Sequence, residues 1–405
     1  MASRSSLAPG PRVPTVPVMF SGAAAFINLY ATQPLLPMFA RVYHASPFRA
    51  ALTVTAPVFL IAFCAPFTGA LADRFGLRRI IVVCASVLAA TTLLAATSRS
   101  LEQLIAWRLA QGVMTPGVFA GVVAYIHELW PKERAGRGTA AYMTGTIIGG
   151  FLGRLVAGLV ASRFEWQWAF VALGLMSTVV AIVLYFRLPD ERARPGYVAT
   201  RRAPRREQIA ALFHNRQLLA TYGIGSCILF TQIATFTYVT FYLAAAPFHL
   251  TTAELGWLFL VYVAAATVVP FGGWWIDHYG HRAGLGSAMA VSACGTLLTL
   301  IPWLPAILLG LAVTSTGVFI AQSTTSAYIG AVTTRDRALA VGMYSTFYYL
   351  GGSLGGSLPN PFWRWAGWAA CVALIVSVQM TGVVTALVCW KRKQPKAANL
   401  DVAAS

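Results

Sequence analysis

Gly69-Ala-Leu-Ala-Asp73-Arg74-Phe-Gly76-Leu-Arg78-Arg79 and Gly273-Trp-Trp-Ile-Asp277-His-Tyr-Gly280-His-Arg282 are two copies of one pattern, set 204 residues apart. In each copy a glycine, an aspartate, a second glycine and an arginine keep the same spacing. Each follows an uncharged apolar run (50–72 and 255–276) and precedes another that starts near residue 80 or 283. Further along, Glu133-Arg134-Ala135 matches Asp336-Arg337-Ala338, and Gly149 and Gly153 match Gly352 and Gly356, all at an offset of 203. A register held over two separate regions means an internal duplication. Two parallel repeats imply halves related by an axis along the membrane normal, with the substrate site between them.

The composition places those repeats in a membrane. Of the 405 residues 58% are hydrophobic and only 10% charged, too few charges to cover a soluble domain of this size. A spanning helix needs about 20 mostly apolar residues. Uncharged runs of that order occupy 13–40, 50–72, 80–98, 166–186, 217–248, 255–276, 338–363 and 365–390. The stretch 283–334 is too long for one span, and Pro302-Trp303-Leu304-Pro305 splits it into two helices with a tight turn. Two more spans, 103–127 and 139–162, each carry one arginine, Arg108 and Arg154. Twelve helices are therefore expected.

There are 30 Lys and Arg against 12 Asp and Glu, a net charge of +18. If both termini face the cytoplasm, only Arg41, Arg49, Arg99, Arg163 and Arg364 lie outside, and the other basic residues except Arg108 and Arg154 lie inside. The excess is thus a topology signal and an attraction to anionic lipid, with no basic soluble face left for nucleic acid. All six cysteines fall within or at the end of spans, none paired as CxxC, so no metal site is expected. No nucleotide-binding GxxxxGK[ST] loop is present either. The expected boundaries are an N-terminal tail 1–15, a six-helix bundle 16–187, a basic, proline-bearing linker 188–216, a second bundle 217–390 and a tail 391–405.

The loop after the second span resembles the signature loop of the major facilitator superfamily, and the helix count, linker and repeat extend that resemblance over essentially the whole chain. It implies two pseudo-symmetric six-helix bundles that alternate between outward- and inward-open states, with no cofactor, working as a monomer in a bacterial inner membrane. Locally, Gly69 lets a neighbouring helix approach closely and Gly76 permits a tight turn. Asp73, held by nearby arginines, can meet the N-terminus of a helix. By resemblance, Gly69, Asp73, Arg74, Gly76 and Arg78, with Gly273, Asp277, Gly280 and Arg282 in the second copy, form a cytoplasmic gating latch.

Arg108, in Arg-Leu-Ala-Gln-Gly112, resembles a motif of proton-linked members, which implies a part in proton coupling alongside Glu128 and Asp73. In the fifth span Gly145, Gly149, Gly150, Gly153 and Gly158 sit at spacings that pack closely on a partner helix. That pattern is similar to the antiporter signature of drug exporters, although the usual Gly-Pro step stands here as Gly150-Phe151. Together with Tyr30-Ala-Thr-Gln33-Pro34 and Tyr348-Tyr349, it resembles the YnfM-type efflux branch, which implies proton-coupled efflux.

Charge at depth narrows the cargo. At ~1.5 Å per residue, Arg108 and Arg154 both lie roughly 8–12 Å below the outer boundary. None of the 12 Asp and Glu falls in the middle of a span. A cavity built for cations would bury a carboxylate, because an unpaired charge in hydrocarbon is costly. The expected substrate is therefore an anionic or neutral amphipathic organic compound. Arg154 and Arg108 would supply charge, Asn28, Gln33, Gln232 and Gln322 hydrogen bonds, and Tyr30, Tyr125, Phe236 and Tyr238 an apolar wall. Uptake or exchange of an organic acid is the alternative to efflux, and an enzyme or a non-transporting receptor finds no motif to support it.

Overall fold

In hydrocarbon a backbone has no water to bond, so each apolar run must satisfy its own N–H and C=O groups by closing into a helix. A computed structural model of the chain describes residues 15–129, 132–189, 206–333 and 337–390. Within those helices the side chains of residues 69–70, 73, 127–129, 132–135, 206–209, 269–274, 277 and 337–338 are not described. The helices are α1 (Thr15–Leu29), α2 (Leu36–Val42), α3 (Pro47–Phe75), α4 (Leu77–Ala95) and α5 (Leu101–Leu129). They continue as α6 (Lys132–Ala161), α7 (Trp166–Arg187), α8 (Arg206–His214), α9 (Arg216–Ala244) and α10 (Thr252–Trp257). Last come α11 (Leu260–Tyr279), α12 (His281–Leu298), α13 (Leu304–Val332), α14 (Arg337–Ser357) and α15 (Pro359–Cys389).

Among the described residues nine segments are long and apolar enough to cross a membrane, α1 and α2 counting together as one. Helices α11, α12 and α14, of 20, 18 and 21 residues, stand where the other three spans are expected. The chain is an all-α membrane protein. On α7 the exposed Trp168, Leu175, Val179, Ile182 and Phe186 form one apolar stripe, as a lipid-facing surface requires. Pro305 opens α13 and divides the long run 283–334 as expected.

Two compact units divide the chain by contact. Unit 1 holds Met1–Ala203 and Val239–Val263, and unit 2 holds Pro204–Tyr238 and Ala264–Ser405. In unit 1, α1 lies on α6, α5 lies on α3 and α4, and α10 packs against α6. In unit 2, α12 lies between α13 and α15. The linker and tail boundaries fall largely outside the described residues.

The two copies of the loop pattern have the same backbone. Gly76 sits at φ 92 and ψ 146, and Gly280 at φ 84 and ψ 164. Each N–H returns to the preceding helix, Gly76 to the Ala72 carbonyl and Gly280 to that of Ile276, both at 2.8 Å. Each carbonyl then starts the next helix by accepting from Ile80 or Gly284. A side chain is strained there, so Gly76→Ala and Gly280→Ala should each cost about 1–3 kcal/mol. Thermal unfolding of the purified protein checks this, and unchanged midpoints in both variants would contradict a glycine-specific turn.

Several boundaries differ from those read in the sequence: the run 255–276 is split between α10 and α11, and α9 ends at Ala244 rather than 248. The first span is not continuous over 13–40: α1 stops at Leu29, and a 3-10 turn at Gln33–Leu35 precedes α2. Pro34 and Pro37 lack the N–H groups that would carry the helix through. Near the other end, α14 stops at Ser357 rather than 363 because Pro359 and Pro361 begin a new helix, α15, which kinks at Ala366–Gly367.

Candidate functional site

The break in the first span is where the two buried arginines converge. Gln33 donates its N–H to the carbonyl of Tyr30 instead of Leu29, which leaves the end of α1 short of donors. Arg108, on α5 and 1% exposed, supplies them. Its Nε donates to the Thr53 carbonyl on α3 at 2.8 Å, and Nη1 to the Asn28 carbonyl at 2.8 Å. Nη2 donates to the Leu29 carbonyl, and Nη1 also reaches Gln111 Oε1 one turn along α5. Gln111 passes the network on to Thr92 on α4. A cation at a helix C-terminus also meets the favourable end of the helix dipole. Arg108 thus ties α1, α3 and α5 together, with most of its N–H groups in use.

Arg154 meets the same break from the other side. It is 3% exposed on α6. Its Nε donates to Gln33 Oε1 at 2.8 Å and its Nη1 to the Gly150 carbonyl at 2.7 Å. Three rings surround the guanidinium carbon: Phe259 at 4.6 Å, Tyr30 at 4.9 Å and Tyr262 at 5.0 Å. Desolvated cation–π contacts of this kind are worth up to about 2 kcal/mol each. Nη2 has no acceptor among the described residues, and the only ion pair among them, Arg49 with Glu102, lies elsewhere. The result is a buried positive charge inside an aromatic box, with no carboxylate beside it among the described residues.

The glycines of α6 bring Arg154 to that position. A methyl group on Gly145 would fall on the Met19 carbonyl, one on Gly149 against Ala23, and one on Gly153 on the Ile27 carbonyl. Farther along, Gly158 faces the Thr252 carbonyl and Gly256, so α10 closes on the same helix. A Thr251–Glu254 capping box starts α10, and Phe259 and Tyr262 follow it. Unit 2 repeats the arrangement one residue out of the sequence register: Gly351 and Gly355 of α14 meet the carbonyls of Ser226 and Phe230, whereas Gly352 meets side chains of α9. Gly153→Leu should separate α1 from α6 and sharply reduce folded yield in size-exclusion profiles. A normal profile would show that the close approach is dispensable.

The remaining expected residues scatter. Asn28 donates to Ser177 within unit 1. Tyr125 does not join the arginines: it lies near the opposite end of α5 from Arg108, and its hydroxyl donates to the Pro189 carbonyl at 3.0 Å. Arg78 of the loop pattern holds the same end of α7, donating to the carbonyls of Tyr185 and Leu188. In unit 2, Tyr238 donates to the Gly356 carbonyl and packs on Trp363, and Phe236 is fully buried. Gln232 is 9% exposed and both ends of its amide lack a partner among the described residues, while Gln322 is half-buried. The side chains of Asp73, Asp277 and Glu128, and the local packing of Gly69 and Gly273, lie outside the described residues. Reading the sequence missed Phe259 and Tyr262 and the partners of Arg108. Only Gln111, three residues from Arg108 on one helix face, carried a signal.

The family model for the Major Facilitator Superfamily matches residues 18–247 and 227–404. An uncharacterized MFS-type transporter of Bacillus subtilis, YybF, is 28% identical over 88% of this chain and 88% of its own. The inner membrane transport protein YnfM of Escherichia coli is 28% identical over 90% of this chain and 88% of its own. Among solved structures, the nucleoside transporter NupG superposes with a TM-score of 0.72 at 15% identity, covering 93% of this chain and 100% of that one. A bacterial homologue of the lysosomal transporter Spinster superposes at 0.68 and 16% identity, covering 93% of each chain.

Proposed function

This chain belongs to the major facilitator superfamily and is a membrane transporter, and from that premise we propose that it moves a small organic anion, or a neutral amphipathic compound, by alternating access. The observation that carries this reading is Arg154, buried without a carboxylate and with donors to spare. Arginine does not lose its proton to escape burial, so a substrate carboxylate or sulfonate is the natural counter-charge. Tyr30, Phe259 and Tyr262 would hold the apolar body of the same molecule. Arg108 acts on the site through position: it fixes the end of α1, from which Tyr30 and Gln33 extend.

Substrate access requires the rings of Phe259 and Tyr262 to withdraw from the guanidinium, and the contact of Gly158 with Gly256 is the seam along which α10 would part from α6. The glycine pattern of α6 supports outward movement, with protons as the counter-ion and Glu128 their carrier. The positions of the basic residues support a bacterial inner-membrane protein with both termini cytoplasmic, acting as a monomer. Uptake or exchange of an organic acid is the second reading, favoured by the absence of any acid from the middle of a span.

Proteoliposomes loaded with 1-naphthalenesulfonate test both parts. Protein-dependent efflux that accelerates with an opposing proton gradient, and loses that acceleration in Glu128→Gln, is expected. Efflux indifferent to pH would reject proton coupling, and transport of tetraphenylphosphonium alone would reject the anion reading.

A further inference from the structure

Unit 2 buries a second polar cluster whose chemistry is the opposite of that around Arg154. Ser292 and Thr296 on α12, Thr314 on α13 and Gln379 on α15 are all 0% exposed. Thr314 and Gln379 lie about 15 Å in from the nearer ends of α13 and α15 at ~1.5 Å per residue, while Ser292 and Thr296 belong to the last two turns of α12. The Ser292 hydroxyl donates to the Thr314 carbonyl at 3.1 Å, and the Thr296 hydroxyl to the Ser292 carbonyl at 3.0 Å. Thr314 Oγ1 lies 3.3 Å from the Ser292 carbonyl and 3.2 Å from Thr296 Oγ1. With their single hydrogens committed to carbonyls, the Ser292 and Thr296 hydroxyls accept from Gln379 Nε2, at 2.8 and 3.1 Å. The amide is assigned in the orientation that satisfies both hydrogens of Nε2. Gln379 Oε1 is then left buried with no partner among the described residues.

More oxygen lies at the same level. Trp390, which caps the end of α15, donates to Thr221 of α9, and a Cβ on Gly382 would stand 3.5 Å from that of Cys227, so the two helices run antiparallel in a known register. One turn beyond Cys227 is Thr231, and one turn before Gly382 is Gln379. The Thr231 hydroxyl, like those of Thr235 and Ser315, is buried and has no partner among the described residues. Lone pairs outnumber hydrogens here, and no acid among the described residues joins the cluster.

An acceptor-rich, uncharged and buried cluster suits a small hard cation, whose hydration shell neutral oxygens replace. We propose that unit 2 binds a sodium ion between α9, α12, α13 and α15, with Gln379 Oε1 as a ligand and hydroxyls of Ser292, Thr296 and Thr231 beside it. This site is independent of the anion reading of Arg154, and its failure would leave that reading untouched.

The test is thermal unfolding of the detergent-solubilised full chain as NaCl replaces N-methylglucamine chloride at constant ionic strength, with KCl as the size control. A ligand of the folded state raises the midpoint as it saturates. A saturable rise specific to sodium is expected, lost in Gln379→Leu and retained in Arg154→Gln. If Gln379→Leu fails to fold, Ser292→Ala serves in its place. Gln379→Glu, which adds charge at the same position, should bring saturation to at least tenfold lower sodium, a shift that no purely structural hydrogen bond produces. Midpoints that are equal in all three salts would overturn the proposal, as would a sodium effect that persists in both Gln379→Leu and Ser292→Ala.

Discussion

Arg154→Gln is expected to abolish binding and transport of organic anions while leaving the protein folded. The glutamine amide can still meet Gln33, and no acidic partner is left stranded, because Arg154 has none among the described residues. Removing one member of a desolvated, hydrogen-bonded charge pair costs about 2–5 kcal/mol of affinity, which is roughly 30- to 4,000-fold. The apo protein should be as stable as the parent or more so, since the variant no longer buries an uncompensated charge. Arg154→Lys keeps the charge but loses the planar fork and its stacking on three rings, so it should fall between the two. Equilibrium binding of 1-naphthalenesulfonate to the three proteins gives the comparison. Equal affinities would remove Arg154 from the site.

Arg108 should behave in the opposite way. Arg108→Met leaves the carbonyls of Asn28, Leu29 and Thr53 without their guanidinium donors, and each buried, unsatisfied acceptor costs about 1–3 kcal/mol. Set against a typical total stability of about 5–15 kcal/mol, that is enough to collapse folded yield. Lysine at this position keeps the charge at the end of α1 but cannot reach carbonyls of α1 and α3 together, so only partial recovery is expected. Size-exclusion profiles and unfolding midpoints distinguish the roles. A well-folded Arg108→Met protein that has lost only anion binding would make Arg108 a direct ligand instead of a tie.

The architecture was legible because hydrocarbon permits so few solutions. Charge-free runs marked the spans, Pro302 and Pro305 divided the longest of them, and the paired loops announced the duplication that Gly76 and Gly280 repeat in backbone geometry. The break after Leu29 was harder to see. Hydropathy passes through it unchanged, and the only hints were Pro34 and Pro37, residues that membrane helices often tolerate. That break matters most for the site, because it frees the carbonyls that Arg108 holds and presents Tyr30 and Gln33 to Arg154.

The partners of the two arginines were legible only in part. Glycine spacing on α6 predicted a close-packed face, and a methyl group on Gly145, Gly149 or Gly153 would meet the backbone of α1. Backbone carbonyls leave no letter in a sequence, so the ties of Arg108 could not be read from it. Phe259 and Tyr262 lie far along the chain from Arg154, in a segment that joins unit 1 through contacts no periodicity encodes. Tyr125 shows the converse: an aromatic residue on the same helix as Arg108 is placed by helix length at the other end, where it holds the exit of α7.

On this reading Arg154, with no carboxylate beside it among the described residues, selects the substrate by charge. Thermal-shift binding on the purified protein tests it most directly, using benzoate, octanoate and 1-naphthalenesulfonate against neutral amphiphiles and tetraphenylphosphonium. Midpoints raised by the anions, or by anions and neutral amphiphiles together, with the anion response lost in Arg154→Gln, are the predicted result. Stabilisation by the lipophilic cation alone, unchanged in Arg154→Gln, would contradict it.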